Sequence, residues 1–425
     1  MKQKKLQQNF KPESLMMSAG YNPFESDYAA KPPIYLSSTF IFPNAEAGEA
    51  AFKAAYGLGK LKKGAKTFDI YSRLNNPNLQ IAEGRLTIYE KGAEECAIFA
   101  SGLAAITTTL LEFLKPGDAV LASTPLYGGT DHFLTKMLHE SGVKVFFFNS
   151  SQTEEEIKEM FFRDRITKSL KMIFVETPAN PTNDLFDLRA LRRVADYFSV
   201  EKKKVILAVD NTYLGPIWQH PIKHGADLVL YSATKYIGGH SDLIAGACLG
   251  SKELIHRIKV RRTFFGNMSD PFTCSQLMRS LETLKVRMNK QASNANKIAD
   301  YLNYHPLVQR VHFLGNLKED DRKQYKIKKR QCSSNGAMIA FDVKGGKKAA
   351  FKFLNSLKLA KLAVSLGSTG SLAEHPATMT HADVDPKVKR LLGITNSMVR
   401  YSVGVENYKD LIADLAQAFK AVKRK

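Results

Sequence analysis

Val205-Ile206-Leu207-Ala208-Val209-Asp210 is an unbroken apolar run closed by a carboxylate, and a second such run, Leu228-Val229-Leu230-Tyr231-Ser232, ends just before Ala233-Thr234-Lys235. Each has the length of one strand, and neither shows the in/out alternation of a sheet wetted on one face. Strands buried on both faces belong to a parallel sheet with crossover helices on either side. Outward from these runs the pattern recurs from about residue 95 to 250, with strand-like runs at 119–122, 143–148, 172–176, 205–210, 228–232 and 244–250. Helical patterns at 103–114, 128–140, 154–162 and 188–199 fill the gaps. The fold class is therefore α/β with a mainly parallel sheet, and such open sheets take ligands at the carboxyl ends of their strands.

On either side of this block, residues 71–268, the pattern changes. Residues 1–70, with Pro12, Pro23, Pro32, Pro33 and Pro43, show few periodic segments and read as an extended arm of the kind that wraps a partner subunit. After Pro271 a long helical pattern at 272–304 leads to strand signals at 337–343, 362–366 and 398–403, so 269–425 reads as a smaller α+β domain.

Composition excludes several classes. No stretch approaches the roughly 18 unbroken apolar residues of a membrane helix. The opening MKQKKLQQNF has the charge of an export signal, but Gln and Asn stand where its apolar core would be. Cys96, Cys248, Cys274 and Cys332 are too scattered for a zinc site or disulfide framework, so a cytoplasmic protein is expected. The net charge of +21 raises nucleic acid as a partner. However, the basic clusters (60–66, 202–204, 259–262, 326–330, 420–425) are interleaved with acids, lack stacking aromatics and match no nucleic-acid motif. A lysine-rich surface with no nucleic-acid partner is the expectation.

Asp210 and Lys235, at the mouths of neighbouring strands, carry the chemistry. Alone, a strand-end Asp is often a cap and a lone Lys a solvated charge. Together they meet the needs of a pyridoxal enzyme: an amine to form an imine, and an acid to keep the pyridine nitrogen protonated as an electron sink. In Phe99-Ala100-Ser101-Gly102-Leu103 a glycine-containing turn precedes a helix, so free N–H groups at Gly102 and Leu103 and the helix dipole suit a phosphate. Ser232 and Thr234 would add hydroxyl donors.

The run YSATKYIGGHSD, preceded by VDNTYLGPIWQHPIKHGAD, resembles the Cys/Met-metabolism family of pyridoxal enzymes, which includes cystathionine γ-synthase, cystathionine γ-lyase, methionine γ-lyase and the O-acylhomoserine sulfhydrylases. PIYLSSTF, YSRLNNPN, FASGLAAI, PLYGGT, ETPANPT, SLGSTGSLAEHPATMTHA and VRYSVGVE follow in family order, from about residue 33 to the C-terminus. The resemblance implies the fold-type I architecture, pyridoxal 5′-phosphate as cofactor and a small amino acid as substrate. It makes Lys235 the imine-forming lysine, Asp210 the partner of the pyridine nitrogen, and Tyr127 the tyrosine that lies over the cofactor ring and takes part in proton transfer. Tyr71 and Arg73 match the pair that reaches the phosphate of a neighbouring subunit, where an arginine fork suits a dianion. The active unit is then a dimer at least, and a tetramer is expected. Arg400 matches the clamp on the substrate α-carboxylate, with Asn180 and Ser365 completing the contacts.

The implied reaction works at the γ-carbon. The freed lysine removes the α-proton and then one at the β-carbon, and Tyr127 is a reasonable proton donor to the departing group. Water gives elimination to a 2-oxo acid, ammonia and a thiol; an incoming thiol gives replacement. Gly129 stands where methionine γ-lyases commonly carry a cysteine. Gly370 stands where cystathionine enzymes usually place a glutamate facing the distal end of the substrate. Asn75 replaces a usual glycine, a mild change because Asn tolerates the left-handed region. Elimination is preferred narrowly over replacement, and an inactive scaffold serving nucleic acid through its charge is the reading from another class.

Overall fold

A computed structural model of the chain describes residues 10–58, 68–163, 169–200 and 204–423. The charged opening decapeptide up to residue 9, the basic cluster at 60–66, Lys202 and Lys203, and the last two residues lie outside the described residues.

The strands form a large sheet and a small one among these residues. The first is seven-stranded, in the order β1-β7-β6-β5-β4-β2-β3: β1 (Glu95–Phe99), β2 (Ala119–Ser123), β3 (Lys144–Phe148), β4 (Leu170–Glu176), β5 (Ile206–Asp210), β6 (Leu228–Ser232) and β7 (Gly246–Gly250). From β3 to β6 the neighbours are parallel, whereas β7 runs antiparallel to both β6 and β1. The unbroken apolar runs follow from burial on both faces. Ile173, Val175, Leu207, Val209 and Val229 point into one hydrophobic cluster, and Met172, Phe174, Ile206, Ala208 and Leu230 point into the other.

The second sheet has five strands in the order β10-β11-β12-β9-β8: β8 (Val308–His312), β9 (Met338–Val343), β10 (Lys361–Leu362), β11 (Leu372–Glu374) and β12 (Met398–Ser402). It is antiparallel apart from the β10–β11 edge, and it belongs to the smaller C-terminal domain. A 33-residue helix, Pro271–Asn303, leads into it. Asp270 caps this helix by accepting from the N–H groups of Phe272 and Thr273, and Pro271 gives up no bond at the first position, where the N–H has no helical partner.

Four sequence expectations need correction. β1 was not among the predicted strands: its apolar stretch is short, running from 96 straight into the turn before the next helix, and it pairs at the sheet edge. The stretch 362–366 is a strand only at Lys361–Leu362, because the chain turns away to reach Ser365, whose φ of 94° no strand accommodates. Residues 1–70 are not irregular throughout. Ala45–Ala55 is a helix capped by Asn44, its alanines supplying propensity without an apolar stripe, and Pro12–Leu15 forms one short turn. The helix at 128–140 is not α-helical throughout: it is α over Gly128–His132, a π-helix over Phe133–Leu138, and α again at 139–140.

The basic cluster at 259–262, with Arg257 beside it, is engaged internally. Lys259 pairs with Glu83 at 2.8 Å and Glu95 at 2.7 Å, Arg262 with Glu83 at 2.6 Å, and Arg257 and Arg261 with Glu112. Among the described residues no helix is long and apolar enough to cross a membrane.

Candidate active site

The carboxyl ends of β4, β5 and β6 bring Glu176, Asp210 and the Ser232–Lys235 turn side by side, with Glu176 and Asp210 in direct register. Asp210 is buried, and its Oδ1 accepts from the Thr212 N–H at 3.0 Å and the Thr212 hydroxyl at 2.6 Å. The Thr212 oxygen in turn accepts from the Ser232 N–H at 2.9 Å, tying β5 to the lysine turn. Burial raises the proton affinity of Asp210. Lys235 lies at the floor of a cavity of about 880 Å³, its Nζ donating to Ser365 Oγ at 2.7 Å. Desolvation, and then the Arg400 charge, lower its pKa to about 8, against the opposing pull of Glu374.

The same cavity is lined by Leu103, Tyr127, Asn180, Ser365 and Arg400, so these expected site residues converge around Lys235. Arg400 is not an exposed edge charge. It is 3% accessible on β12 and donates to Asn180 Oδ1 at 3.1 Å and to the Ser365 carbonyl at 2.7 Å. Ser365 therefore links amine and guanidinium from a left-handed backbone position, φ 94°, a strain typical of functional sites.

The turn before the helix Gly102–Phe113 has the form of an anion cradle. Ser101 Oγ accepts from the Ala104 N–H and Ser101 O from the Ala105 N–H, which leaves the N–H groups of Gly102 and Leu103 ahead of the first helical bond. A Cβ at Gly102 would meet Ser232 Cβ at 2.7 Å and Oγ at 2.8 Å, so only bare backbone fits against the lysine turn. Ser232 is the hydroxyl facing this cradle. Thr234 is engaged elsewhere, donating to the Ala245 carbonyl at 3.1 Å and accepting from its N–H at 3.0 Å.

Tyr71 and Arg73 do not line the cavity of their own chain. Arg73 donates to the Thr263 carbonyl at 3.1 Å and lies over the Tyr71 ring. Gly370 is not a cavity residue either. A Cβ there meets nothing within 4 Å, and the wall near it is made by Val364, Ser365 and Leu366.

Two buried carboxylates went unassigned in the sequence. Glu176 accepts the Tyr127 N–H at 2.7 Å and the Asn180 N–H at 3.1 Å, holding two cavity loops by their backbones. Burial and then the charge of Asp210 push its pKa up to about 8. Its signal was available, since Glu176 closes β4 just as Asp210 closes β5. Glu374, which has no solvent exposure, lies directly opposite Arg400 in the β11–β12 register, 2.7 Å from its Nη1. Only pairing of strands distant in sequence reveals that contact.

The chain as a whole has counterparts among known proteins. Residues 13–420 match the family described as Cys/Met metabolism PLP-dependent enzyme. The chain belongs to that family. Its relatives include an L-methionine gamma-lyase of Pseudomonas putida, 38% identical over 95% of this chain and 95% of the relative, and a cystathionine gamma-lyase of Rattus norvegicus, 38% identical over 83% and 85%. The solved cystathionine gamma synthase of Xanthomonas oryzae pv. oryzae, in complex with aminoacrylate and cysteine, superposes with a TM-score of 0.86 at 29% identity, covering 97% of this chain and 99% of that one. As a family member the chain is an enzyme with pyridoxal 5′-phosphate as its cofactor.

Proposed function

We propose that this enzyme is a γ-lyase for sulfur amino acids with an uncharged tail, methionine above all, consuming water and releasing 2-oxobutanoate, ammonia and a thiol. The observation that carries the reading is the convergence of Lys235, Tyr127, Ser365 and Arg400 on one cavity whose distal wall is largely apolar, with Leu111, Phe133, Met137, Val364 and Met379.

The residues present fit the cofactor. The Gly102–Leu103 cradle with Ser232 would hold its phosphate, Asp210 its ring nitrogen, and Lys235 its carbonyl carbon; when bound, it supplies the electron sink that makes the α- and β-protons removable. Arg400 and Asn180 would receive the substrate α-carboxylate and set Cα beside Lys235. An amine with a pKa of about 8 is partly neutral near that pH and takes the α-proton and then the β-proton. Tyr127, half exposed at the cavity wall, would protonate the departing sulfur. A Cβ at Gly129 would come within 2.6 Å of the Tyr127 ring, so the glycine leaves that ring free to lie flat against its neighbour.

A second reading, replacement of the γ-group by an amino-acid thiol, draws support from His132 and Asp383, polar side chains 3.8 Å apart in the lining of the cavity that could contact a second amino acid. Incubation with methionine, cystathionine, homocysteine, and O-acylhomoserine plus cysteine separates the two. We expect 2-oxobutanoate from methionine without added thiol; cystathionine formation as the dominant reaction would overturn the proposal.

We further infer a homodimer at least, with Tyr71 and Arg73 completing the neighbour's cradle. Their absence from their own cavity and the exposed Phe24, Tyr28, Leu36 and Ile41 of the N-terminal segment support it. A domain boundary near residue 268, just before the long helix, and a reducing cytoplasm, in keeping with four free thiols, complete the proposal.

A further inference from the structure

Arg400, read above as the clamp on the substrate α-carboxylate, already has a carboxylate on its guanidinium. Glu374 Oε1 lies 2.7 Å from Arg400 Nη1 and also accepts from the Thr380 hydroxyl at 2.9 Å, while its other oxygen, Oε2, is buried without a hydrogen-bond partner among the described residues. Both side chains of the ion pair are buried, at 4% and 0% exposure. An incoming carboxylate would put two negative groups on one guanidinium in a desolvated pocket, which costs more than the Coulomb gain of the second contact.

We propose that Glu374 is the positioning residue of Arg400, and that it yields its share of the guanidinium to the substrate carboxylate by taking one proton from solvent onto its unpartnered Oε2. In the free enzyme the ionised Glu374 fixes the Arg400 side chain across the strand pair. With substrate bound, the neutral acid keeps the geometry while the guanidinium charge turns to the ligand. This rests on the assignment of Arg400 as the clamp.

The groups facing the pair accord with this. Lys235 approaches from the β6 turn, Glu176 from the end of β4, Tyr213 from the segment after β5, and His381 from the loop after β11. His381 is neutral at working pH, its pKa lowered to about 4 by burial and the Arg400 charge. The pKa of Glu374 itself is raised by burial, against the opposing effects of Arg400, Thr380 and Lys235. A bound carboxylate that neutralises Arg400 raises it further, so the proton enters on binding.

The test uses the holoenzyme and 4-(methylthio)butanoate, methionine without its amine, so that only carboxylate capture is read. Calorimetric Kd values across pH should rise about tenfold per pH unit above the pKa of free Glu374, the slope of one linked proton. Glu374→Gln, a standing mimic of the neutral acid, should flatten this slope. Glu374→Ala, which removes the anchor, should weaken binding at every pH. A wild-type Kd flat through this window, or a Glu374→Gln slope equal to wild type, overturns the inference. Arg400→Lys separates the two layers. If it binds the probe as tightly as wild type, the clamp assignment itself fails; if it loses binding while Glu374→Gln matches wild type, only the proton-linked role fails.

Discussion

The two sheets furnish one cavity by different means. The seven-stranded sheet delivers Glu176, Asp210 and Lys235 from the carboxyl ends of parallel strands, where buried backbone on both faces fixes each position and burial is the largest cause that shifts each group toward neutrality. The five-stranded sheet delivers Arg400 from the middle of β12, and holds it by side-chain and carbonyl partners drawn from separate segments: Asn180, Ser365 and Glu374. The first half is built by topology and, on the function proposed, performs the proton chemistry; the second is built by an ion-pair network and, on the same proposal, binds. Perturbing the first half should therefore lower kcat, and perturbing the second should raise KM and cost stability.

The sharpest break is at Lys235. Lys235→Ala removes both the base and the cofactor's covalent anchor, and turnover of methionine should fall by about 10⁴-fold or more, at the upper end of what a general base contributes. The variant should also show no cofactor bond reducible by borohydride. Retention of activity within tenfold of wild type would dissolve the division between the halves.

Arg400→Ala tests the other half. It leaves Glu374 as a buried charge without its partner, so a loss of about 3–5 kcal/mol in unfolding free energy is expected, together with a KM increase well beyond any fall in kcat. Urea unfolding and steady-state kinetics on the same preparation read both. A pure kcat defect at unchanged stability would show that this half does not work by binding.

These halves also differed in how plainly the sequence announced them. Asp210 and Lys235 close uninterrupted apolar runs, so their positions at strand mouths followed from local pattern alone. Arg400, inside an alternating run, reads locally as an exposed edge charge, and only the family motif pointed inward; its burial arises from β11 and β9 on either side, pairings set far apart in sequence. Glu374 escaped notice for the same reason. Ser365, named by motif, lines the cavity, yet a strand drawn through 362–366 misjudged its backbone, because its left-handed turn is stabilised by Lys235 and Arg400 and not by its sequence neighbours.

Asp210→Asn sharpens the comparison within the first half. The amide preserves the bond from Thr212 but does not hold a ring proton by charge, so kcat should fall by about 10²–10³-fold, the range for loss of one preorganised electrostatic partner. KM for methionine should change far less, since Arg400 and Asn180 are untouched. A KM effect equal to the kcat effect would mean that the two halves do not act separately.

Glu176→Gln should have the smallest effect, and its pH dependence is the informative part. In the cofactor-free protein Glu176 is raised from 4.5 to about 8 by burial and by Asp210. A carboxyl whose folded pKa exceeds its unfolded one favours folding most below the unfolded value. That contribution declines as pH climbs from about 4.5 toward 8 and is constant beyond. The glutamine has no such dependence, but at every pH it misplaces one of the two N–H groups, from Tyr127 and Asn180, that the carboxylate accepts, at a cost of about 1–3 kcal/mol. Wild type should therefore be the more stable at pH 5, and its margin over the variant should shrink between pH 5 and pH 8 in thermal unfolding. A margin that widens with pH would mean that Glu176 is held ionised in the folded state, and that the two adjacent strand-end carboxylates are charged together.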